Sequence, residues 1–266
     1  MTSTRATPGE RFVPGTFAPR PGAGSPGRML AAQAGTELRL ALRNGEQVLL
    51  TLLIPLVLLV GLTLLAVVPL TEPRVAAVAP AVLALAVMST AFTGQAIAFG
   101  FDRRYGVIRR LAATALPRWL LVAGRLVAVL GVVAVQMVII GVVAAVLGWR
   151  PAVAGLGWGL LLVLLGCAAF GALGILLGGT LRAEITLAVA NVVWFVLLLA
   201  GGIVIPASQL PGPLATLTGY LPSGALAEGL RSALADGAFP GAQPVLVLLA
   251  WAAVAGLLAT RLVRLR

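Results

Sequence analysis

The residues with the clearest potential for chemistry lie in the arginine-rich segment 101–119, FDRRYGVIRRLAATALPRW. Wound at about 100° per residue, this spacing predicts an amphipathic helix. Its apolar side carries Phe101, Tyr105, Ile108, Leu111 and Ala112. Its charged side carries Asp102, Arg103, Arg109 and Arg110. Pro117 ends the predicted helix because proline lacks an N–H donor. We interpret the charged side as a surface on which a partner docks.

A simpler role for these arginines is topological. Cytoplasmic arginine orients a membrane protein and meets anionic lipid at about 1 kcal/mol per residue. That role requires charge but no particular pattern. Here the arginines, Arg104 included, surround an acid, an aromatic residue and a glycine: Asp102, Tyr105 and Gly106. The pattern therefore favours docking over topology alone.

The composition identifies the class of protein that surrounds this segment. Of 266 residues, 60% are hydrophobic and 10% are charged, whereas soluble domains carry about 25% charged residues. The chain is therefore predicted to be an integral membrane protein. Its formal charge of +11 is explained by basic loops, and we expect no nucleic-acid partner.

Several kinds of catalytic and metal site are excluded by residue type. The chain has no His and a single cysteine, Cys167, so His/Cys metal sites, Cys/His catalysis and disulfides are ruled out. Without lysine it cannot form a Walker-type nucleotide loop. It also lacks a G-x-S-x-G elbow and any pair of carboxylates within a span. We expect no enzyme activity, cofactor or metal.

Six hydrophobic stretches approach the roughly 20 residues that cross about 30 Å of hydrocarbon. In lipid such segments must satisfy their own backbone groups, so they are helices. The predicted spans are 48–69, 77–100, 120–147, 156–180, 186–205 and 244–262. The fold class is thus all-α, and residues 45–266 are predicted to form one domain of six transmembrane helices.

The ends of the chain differ from this domain. Residues 1–27 are rich in Pro, Gly, Ser and Thr, and we expect a disordered cytoplasmic tail. Residues 28–44 form an amphipathic pattern typical of a helix in the membrane interface, which is compatible with packing on its own protein.

If the N-terminus is cytoplasmic, every arginine except Arg74, Arg150 and Arg231 is also on that side. The positive-inside rule then places both termini in the cytoplasm.

No ionisable residue lies near the middle of a predicted span, although coupled carriers usually need one there. If the protein transports a substrate, we therefore expect the energy for that transport to come from outside this chain.

Uncharged polar residues do lie within the spans. Their simplest role is hydrogen bonding between helices, worth about 0.6–2 kcal/mol each; the alternative is a substrate path. The candidates for that path are Thr93, Gln95, Gln136 and Asn191.

The long connection 206–244 is predicted to lie outside the cell. Its part SGALAEGLRSALADG places Leu226, Leu230, Ala233 and Leu234 at helical spacing. Glu228 and Arg231 form an i, i+3 pair on another side. The pattern predicts a short external amphipathic hairpin before the last span, which dips into the outer leaflet or caps the exit side.

Three stretches resemble one family, the ABC-2 type membrane subunits of ABC exporters, including the drug- and antibiotic-resistance branch. Residues 37–61 are similar to its interfacial helix and first span, with the pair Ile54-Pro55. The segment 101–119 is similar to its cytoplasmic loop, although many members carry Glu at the position of Asp102. Residues 201–231 are similar to its outer loop, and the likeness covers residues 30–262.

The resemblance implies six spans per subunit, two subunits per transporter and a separate ATP-binding protein. That ATPase would dock on the cytoplasmic loop through Asp102, Arg103, Arg104, Tyr105, Gly106, Arg109, Arg110 and Pro117. The resemblance also implies that the outer hairpin gates the exit, with Pro206, Tyr220, Pro222, Glu228 and Arg231 as candidate residues. The second protomer is either a copy of this chain or a paralogue.

The resulting prediction is the permease subunit of an ATP-driven exporter in a bacterial plasma membrane, in contact with membrane lipid. It would move an amphipathic or hydrophobic substrate such as a drug, an antibiotic or a lipid-like molecule. The alternative is a non-transporting scaffold or sensor subunit whose charged loop recruits a cytosolic partner. A facilitator that works alone is weakened by the absence of charge near the middle of the spans.

Overall fold

A computed structural model describes residues 24–43, 45–65, 72–113, 117–203 and 211–263. Within these ranges the chain forms helices and no strand, as predicted. In chain order the α-helices are α1 (Pro26–Arg43), α2 (Gly45–Leu64), α3 (Arg74–Met88), α4 (Gln95–Arg104), α5 (Val107–Ala112), α6 (Arg118–Val146), α7 (Leu156–Thr180), α8 (Ala183–Ala200), α9 (Gly212–Tyr220), α10 (Pro222–Asp236) and α11 (Ala242–Leu262). A π-helical segment, Ser89–Gly94, joins α3 to α4. Nearly all of the predicted tail lies outside the described residues.

Five helices in the described ranges are long and apolar enough to cross a membrane. They are Arg74–Arg104, Trp119–Val146, Val153–Thr180, Ala183–Ala200 and Ala242–Leu262. Each overlaps one of the last five predicted spans, because a run of about 20 apolar residues has to be helical in lipid. The π segment is contained within the first of these helices.

The first predicted span, 48–69, is described only in part. Helix α2 continues through Pro55, and its apolar stretch Thr51–Leu64 is shorter than a full span. Residues 66–69 lie outside the described part of the chain. Six spans therefore remain a prediction.

The helix Arg74–Arg104 forms the centre of the bundle. In the most apolar 18 residues of this helix 83% of the residues are buried, against 11% in the corresponding part of α11. Helices α2, α6, α7 and α10 pack around α3, and their shared core includes Met88, Phe170 and Leu230. The polar residues of this central helix are thereby held between neighbouring helices.

Glycine allows several of these helices to approach closely. A Cβ on Gly174 would lie 2.7 Å from the carbonyl oxygen of Phe92, and one on Gly178 would lie 2.4 Å from that of Ala96. The GxxxG spacing of these two glycines thus serves close helix packing. Helix α1 packs along α6 in a similar way, with Gln33 beside Gly124. The predicted interfacial helix accordingly packs on its own protein.

The helix predicted in the outer connection is α10. It buries Leu226, Leu230, Ala233 and Leu234, the four residues of the predicted apolar repeat. Helix α10 ends at Gly237, whose φ of +67° is the left-handed conformation that suits glycine after a helix. It packs against α3, α7 and α11, so the amphipathic pattern reflects contact with the bundle itself.

Candidate functional site at the arginine-rich end

The segment 101–112 is a corner between two helices, and the predicted single helix is wrong. Helix α4 ends at Arg104, and α5 begins at Val107. Between them Gly106 adopts a φ of +70°, a conformation that glycine enters without steric cost. Tyr105 is 65% exposed and stacks on Phe101, with ring centroids 6.0 Å apart. We call residues 101–112 the corner.

The corner borders a cleft of about 420 Å³. The other wall of this cleft is the junction between α7 and α8. Its lining residues are Gly100, Arg103, Arg104, Ile108, Arg109, Thr180, Leu181, Arg182, Ala183 and Glu184. We call it the arginine cleft, because four of these side chains are guanidinium groups.

Two of the four arginines bind other helices of the chain. Arg103 Nη1 donates to the carbonyl oxygens of Gly178, at 2.9 Å, and Leu181, at 3.4 Å. These carbonyls lie at the C-terminal end of α7, where backbone oxygens lack helical partners. Arg104 forms an ion pair with Glu184 in the first turn of α8. The corner is thereby tied to both α7 and α8.

The remaining arginines point to the surface. Arg109 and Arg182 are exposed, and the side chain of neither forms a hydrogen bond or a salt bridge with the described residues. Arg182 also attracts the carboxylate of Glu184 at longer range. Arg110 is exposed and donates to the carbonyl oxygen of Tyr105 at 3.1 Å. Arg109 and Arg182 are therefore available to carboxylates of a partner, for which guanidinium supplies paired donors.

Asp102 faces the bundle and binds Arg125 of α6. Arg125 is 8% exposed, and its Nη2 also lies 3.7 Å from a carboxylate oxygen of Glu37 in α1. The guanidinium stands 5.3 Å from the ring centre of Phe99. Three helices, α1, α4 and α6, thus meet at a charged cluster of Glu37, Asp102 and Arg125. A docking role for Asp102 remains a prediction; in this arrangement its carboxylate is engaged within the chain.

Pro117 lies at the start of α6. Helix α5 ends at Ala112, residues 114–116 lie outside the described part of the chain, and α6 begins directly after Pro117. Proline is well suited to this position because its ring presets the backbone and its missing N–H has no helical partner there. Its predicted part in coupling is untested.

Polar residues of the central span connect it to its neighbours. Thr90 Oγ1 donates to Gln136 Oε1 of α6 at 2.9 Å, and Trp194 Nε1 of α8 donates to Ser89 Oγ at 2.9 Å. Ser89 and Thr90 belong to the π segment, a type of helix defect that often occurs at functional sites. Of the candidate path residues, Gln136 is thus buried in a contact between helices.

The other path candidates are placed differently. Thr93 Oγ1 and Gln95 Oε1 are enclosed and have no hydrogen-bond partner among the described residues. Asn191 is exposed on α8, and its Nδ2 donates to the Leu187 carbonyl oxygen one turn earlier at 2.9 Å. The four candidates are spread over three helices, and their part in a substrate path stays a prediction.

The predicted exit-gate residues lie on α9 and α10 at the opposite end of the bundle, except for Pro206, which is outside the described residues. Tyr220 ends α9, and its carbonyl oxygen accepts a hydrogen bond from Trp251 Nε1 at 3.0 Å. Pro222 opens α10 and is buried. Glu228 and Arg231 form the predicted i, i+3 ion pair. Their role as a gate is untested.

Sequence reasoning missed the residues that complete the arginine-rich end. Glu37, Arg182 and Glu184 lie far along the chain from the corner, and Arg125 was considered only for its charge. The one available signal was the position of Arg125 inside the long third hydrophobic stretch. A charge at that depth is costly unless it is paired.

Most of the chain is similar to one known protein family. Residues 70–261 match the family model described as ABC-2 family transporter protein. A search of curated proteins finds no match to this chain. The matched range contains the corner, the arginine cleft, α10, the first four apolar helices and all of the fifth except Leu262. The chain is a multi-pass integral membrane protein and belongs to the ABC-2 family of transporter proteins.

Proposed function

We propose that this chain is the permease subunit of an ATP-driven exporter and that a separate ATPase docks on the arginine cleft and the exposed side of the corner. The observation that carries this proposal is the pair of exposed guanidinium groups at the cleft, on Arg109 and Arg182, neither of which forms a side-chain hydrogen bond or a salt bridge within the described residues. Tyr105 adds an exposed aromatic ring beside them. Aromatic and arginine side chains are enriched among the residues that dominate protein interfaces.

The contacts of the corner support a route for mechanical coupling. Arg103 joins it to α7, Arg104 joins it to α8, and Asp102 joins it through Arg125 to α6 and α1. A displacement of the corner by the ATPase therefore pulls on four helices together. Rigid-body motion of packed helices is a common form of such transitions. In this proposal ATP binding and hydrolysis tilt the bundle between inward-open and outward-open states.

The orientation in this proposal places the arginine cleft and both termini in the cytoplasm. It is supported by the concentration of arginines at that end, since cytoplasmic loops of membrane proteins carry an excess of basic residues. The α9–α10 hairpin then lies on the external side, where it would gate the exit.

A second permease protomer is proposed to cover the exposed side of α8. This side carries Leu187, Asn191, Phe195 and Leu199 at helical spacing, all of them exposed. An amide facing lipid is unfavourable, whereas an amide between two helices finds hydrogen-bond partners. The substrate path would then lie between protomers, close to Asn191. Its sparse polarity fits an amphipathic or hydrophobic cargo, as in the drug- and antibiotic-resistance branch.

The docking proposal is tested by measuring the affinity of the purified permease for its ATPase in nanodiscs. The double variant Arg109→Gln/Arg182→Gln is expected to bind at least about tenfold more weakly, because charged contacts at an interface contribute strongly to association. The matched control is Arg28→Gln/Arg39→Gln, which removes two exposed arginines of α1 and should bind normally. Equal affinity of both double variants would contradict docking at the arginine cleft.

Transport itself is tested in inverted vesicles that contain the complex, ATP and a fluorescent amphiphile. ATP-dependent accumulation that is lost in the Arg109→Gln/Arg182→Gln variant is expected for an exporter. A complex that hydrolyses ATP but moves no member of a broad panel of amphiphiles would favour the scaffold or sensor function.

A further inference from the structure

An apolar groove of about 620 Å³ runs along the side of the bundle between α6 and α7. Its walls are a stripe of α6 from Leu130 to Ala145 and the first part of α7, from Leu156 to Leu164. Its floor consists of Leu83 of α3 together with Leu230 and Leu234 of α10. These three floor residues are at most 6% exposed, so the groove has a fixed base.

The shape and the lining of the groove suit a hydrocarbon chain. From Leu130 to Ala145, α6 rises about 22 Å, and one leaflet of a bilayer contributes about 15 Å of hydrocarbon. The volume lies within the roughly 300–1,000 Å³ of typical ligand sites. Among the described residues no charged side chain lines the groove, and Leu156, Leu160 and Leu164 of its α7 wall are exposed.

One end of the groove carries the groups that meet a lipid headgroup. Trp149 and Pro151 line the groove there, and Arg150 between them is exposed and has no ion pair within the described residues. Trp158, in the first turn of α7, forms an edge-to-face pair with Phe239, with ring centroids 4.9 Å apart. Aromatic residues concentrate at membrane–water interfaces, so this end is at the level of the lipid phosphates.

We propose that the groove is a binding site for one glycerophospholipid, with an acyl chain against α6 and α7 and the phosphate paired with Arg150. The occupant is argued from charge complementarity. A long apolar channel accepts the chain of any lipid, but a lone exposed guanidinium at its interfacial mouth selects a molecule that carries phosphate. This site lies on the side of the bundle formed by α6 and α7, away from Asn191, and is distinct from the proposed substrate path.

The proposal is tested by native mass spectrometry of the full-length chain in detergent micelles that contain phosphatidylglycerol. One bound phosphatidylglycerol per chain is expected, and diacylglycerol with the same acyl chains should bind about fivefold more weakly, the effect of one basic residue near an anionic lipid surface. Excess inorganic phosphate should not displace the lipid. Equal binding of diacylglycerol and phosphatidylglycerol would overturn the role of the phosphate.

One matched pair of variants and one further variant test the location of the site. Ala145→Phe fills the groove from an exposed lining position, whereas Val142→Phe on the same helix is 58% exposed and lies outside the groove. Lipid retention should fall at least about tenfold in the first and stay normal in the second, because only the first removes the volume that an acyl chain occupies. Equal retention in both would overturn the site. Gly141→Phe provides an independent filling variant, since a Cβ at Gly141 has no neighbour within 4 Å.

Arg150 is tested by Arg150→Gln, which should abolish the preference for phosphatidylglycerol over diacylglycerol, and by Arg150→Lys, which should retain most of it. A preference that persists in Arg150→Gln would show that another group binds the phosphate. These measurements need no ATPase, so their outcome is independent of the proposed transport function.

Discussion

The corner and helix α10 differ in how they are joined to the rest of the bundle. The corner contacts its neighbours through long arginine side chains: Arg103 and Arg104 reach α7 and α8, and Arg125 of α6 reaches Asp102. Helix α10 is in direct contact through its backbone and small residues. A Cβ on Gly155 would lie 1.7 Å from the Ala233 carbonyl oxygen, and one on Gly224 would lie 2.0 Å from that of Thr218.

This difference indicates how each region responds to force. A long arginine side chain keeps its partner while the helices shift by an ångström or more, since it has several rotatable bonds. Backbone contacts at van der Waals distance have no such tolerance, because protein interiors are close-packed. We therefore expect the corner to shift slightly against its neighbours while it stays connected to them, and α10 to move as one body with α7.

The largest effect is expected from replacing Arg125, the residue that contacts both carboxylates of the charged cluster. Arg125→Met leaves Asp102 and Glu37 without their cation, and breaking a buried pair in this way costs about 3–5 kcal/mol. We expect the lower end of that range, because the Asp102 side chain is 28% exposed and water can therefore solvate its carboxylate in the variant. The measurement is the free energy of unfolding in an SDS titration.

The control for this variant is Arg28→Met, which removes an exposed arginine of α1 and should leave the unfolding free energy unchanged. If Arg125→Met unfolds like the native chain, the charged cluster does not hold α1, α4 and α6 together.

A smaller loss is expected from Gly155→Ala at the contact with α10. The new methyl group would overlap the Ala233 carbonyl oxygen, so backbone has to move, and overpacking of this kind costs about 1–3 kcal/mol. The apparent melting temperature in detergent measures it. Gly157→Ala, two residues further on and with no atom within 4 Å of the added Cβ, should be neutral or slightly stabilising. Equal melting temperatures for both variants would show that α10 is not held by close contact.

The smallest effect is expected from Glu228→Gln, which removes the ion pair with Arg231 on α10. The Glu228 side chain is 52% exposed and that of Arg231 is 19% exposed, and i, i+3 pairs at a helix surface contribute up to about 1 kcal/mol. The change should fall within the error of a thermal unfolding curve. A loss of more than about 1 kcal/mol would mean that charged contacts matter at this end too, and the contrast between the two regions would not hold.

Much of the architecture was predictable because hydrophobicity is a local property. The last five predicted spans each overlap an apolar helix, and the repeat at Leu226, Leu230, Ala233 and Leu234 correctly marks the buried side of α10. The break at Gly106 was missed, since helical periodicity continues across it and a left-handed glycine leaves no trace in the pattern.

The amino-acid sequence by itself determined the class of protein, the positions of the last five spans and the concentration of arginine at one end. These follow from composition and from runs of residues close together in the chain. Only the tertiary structure decided which arginines bind other helices and which are exposed: Arg103 and Arg104 bind α7 and α8, whereas Arg109 and Arg182 are exposed. The reason is that an ion pair such as Asp102–Arg125 depends on how helices from distant parts of the chain pack together.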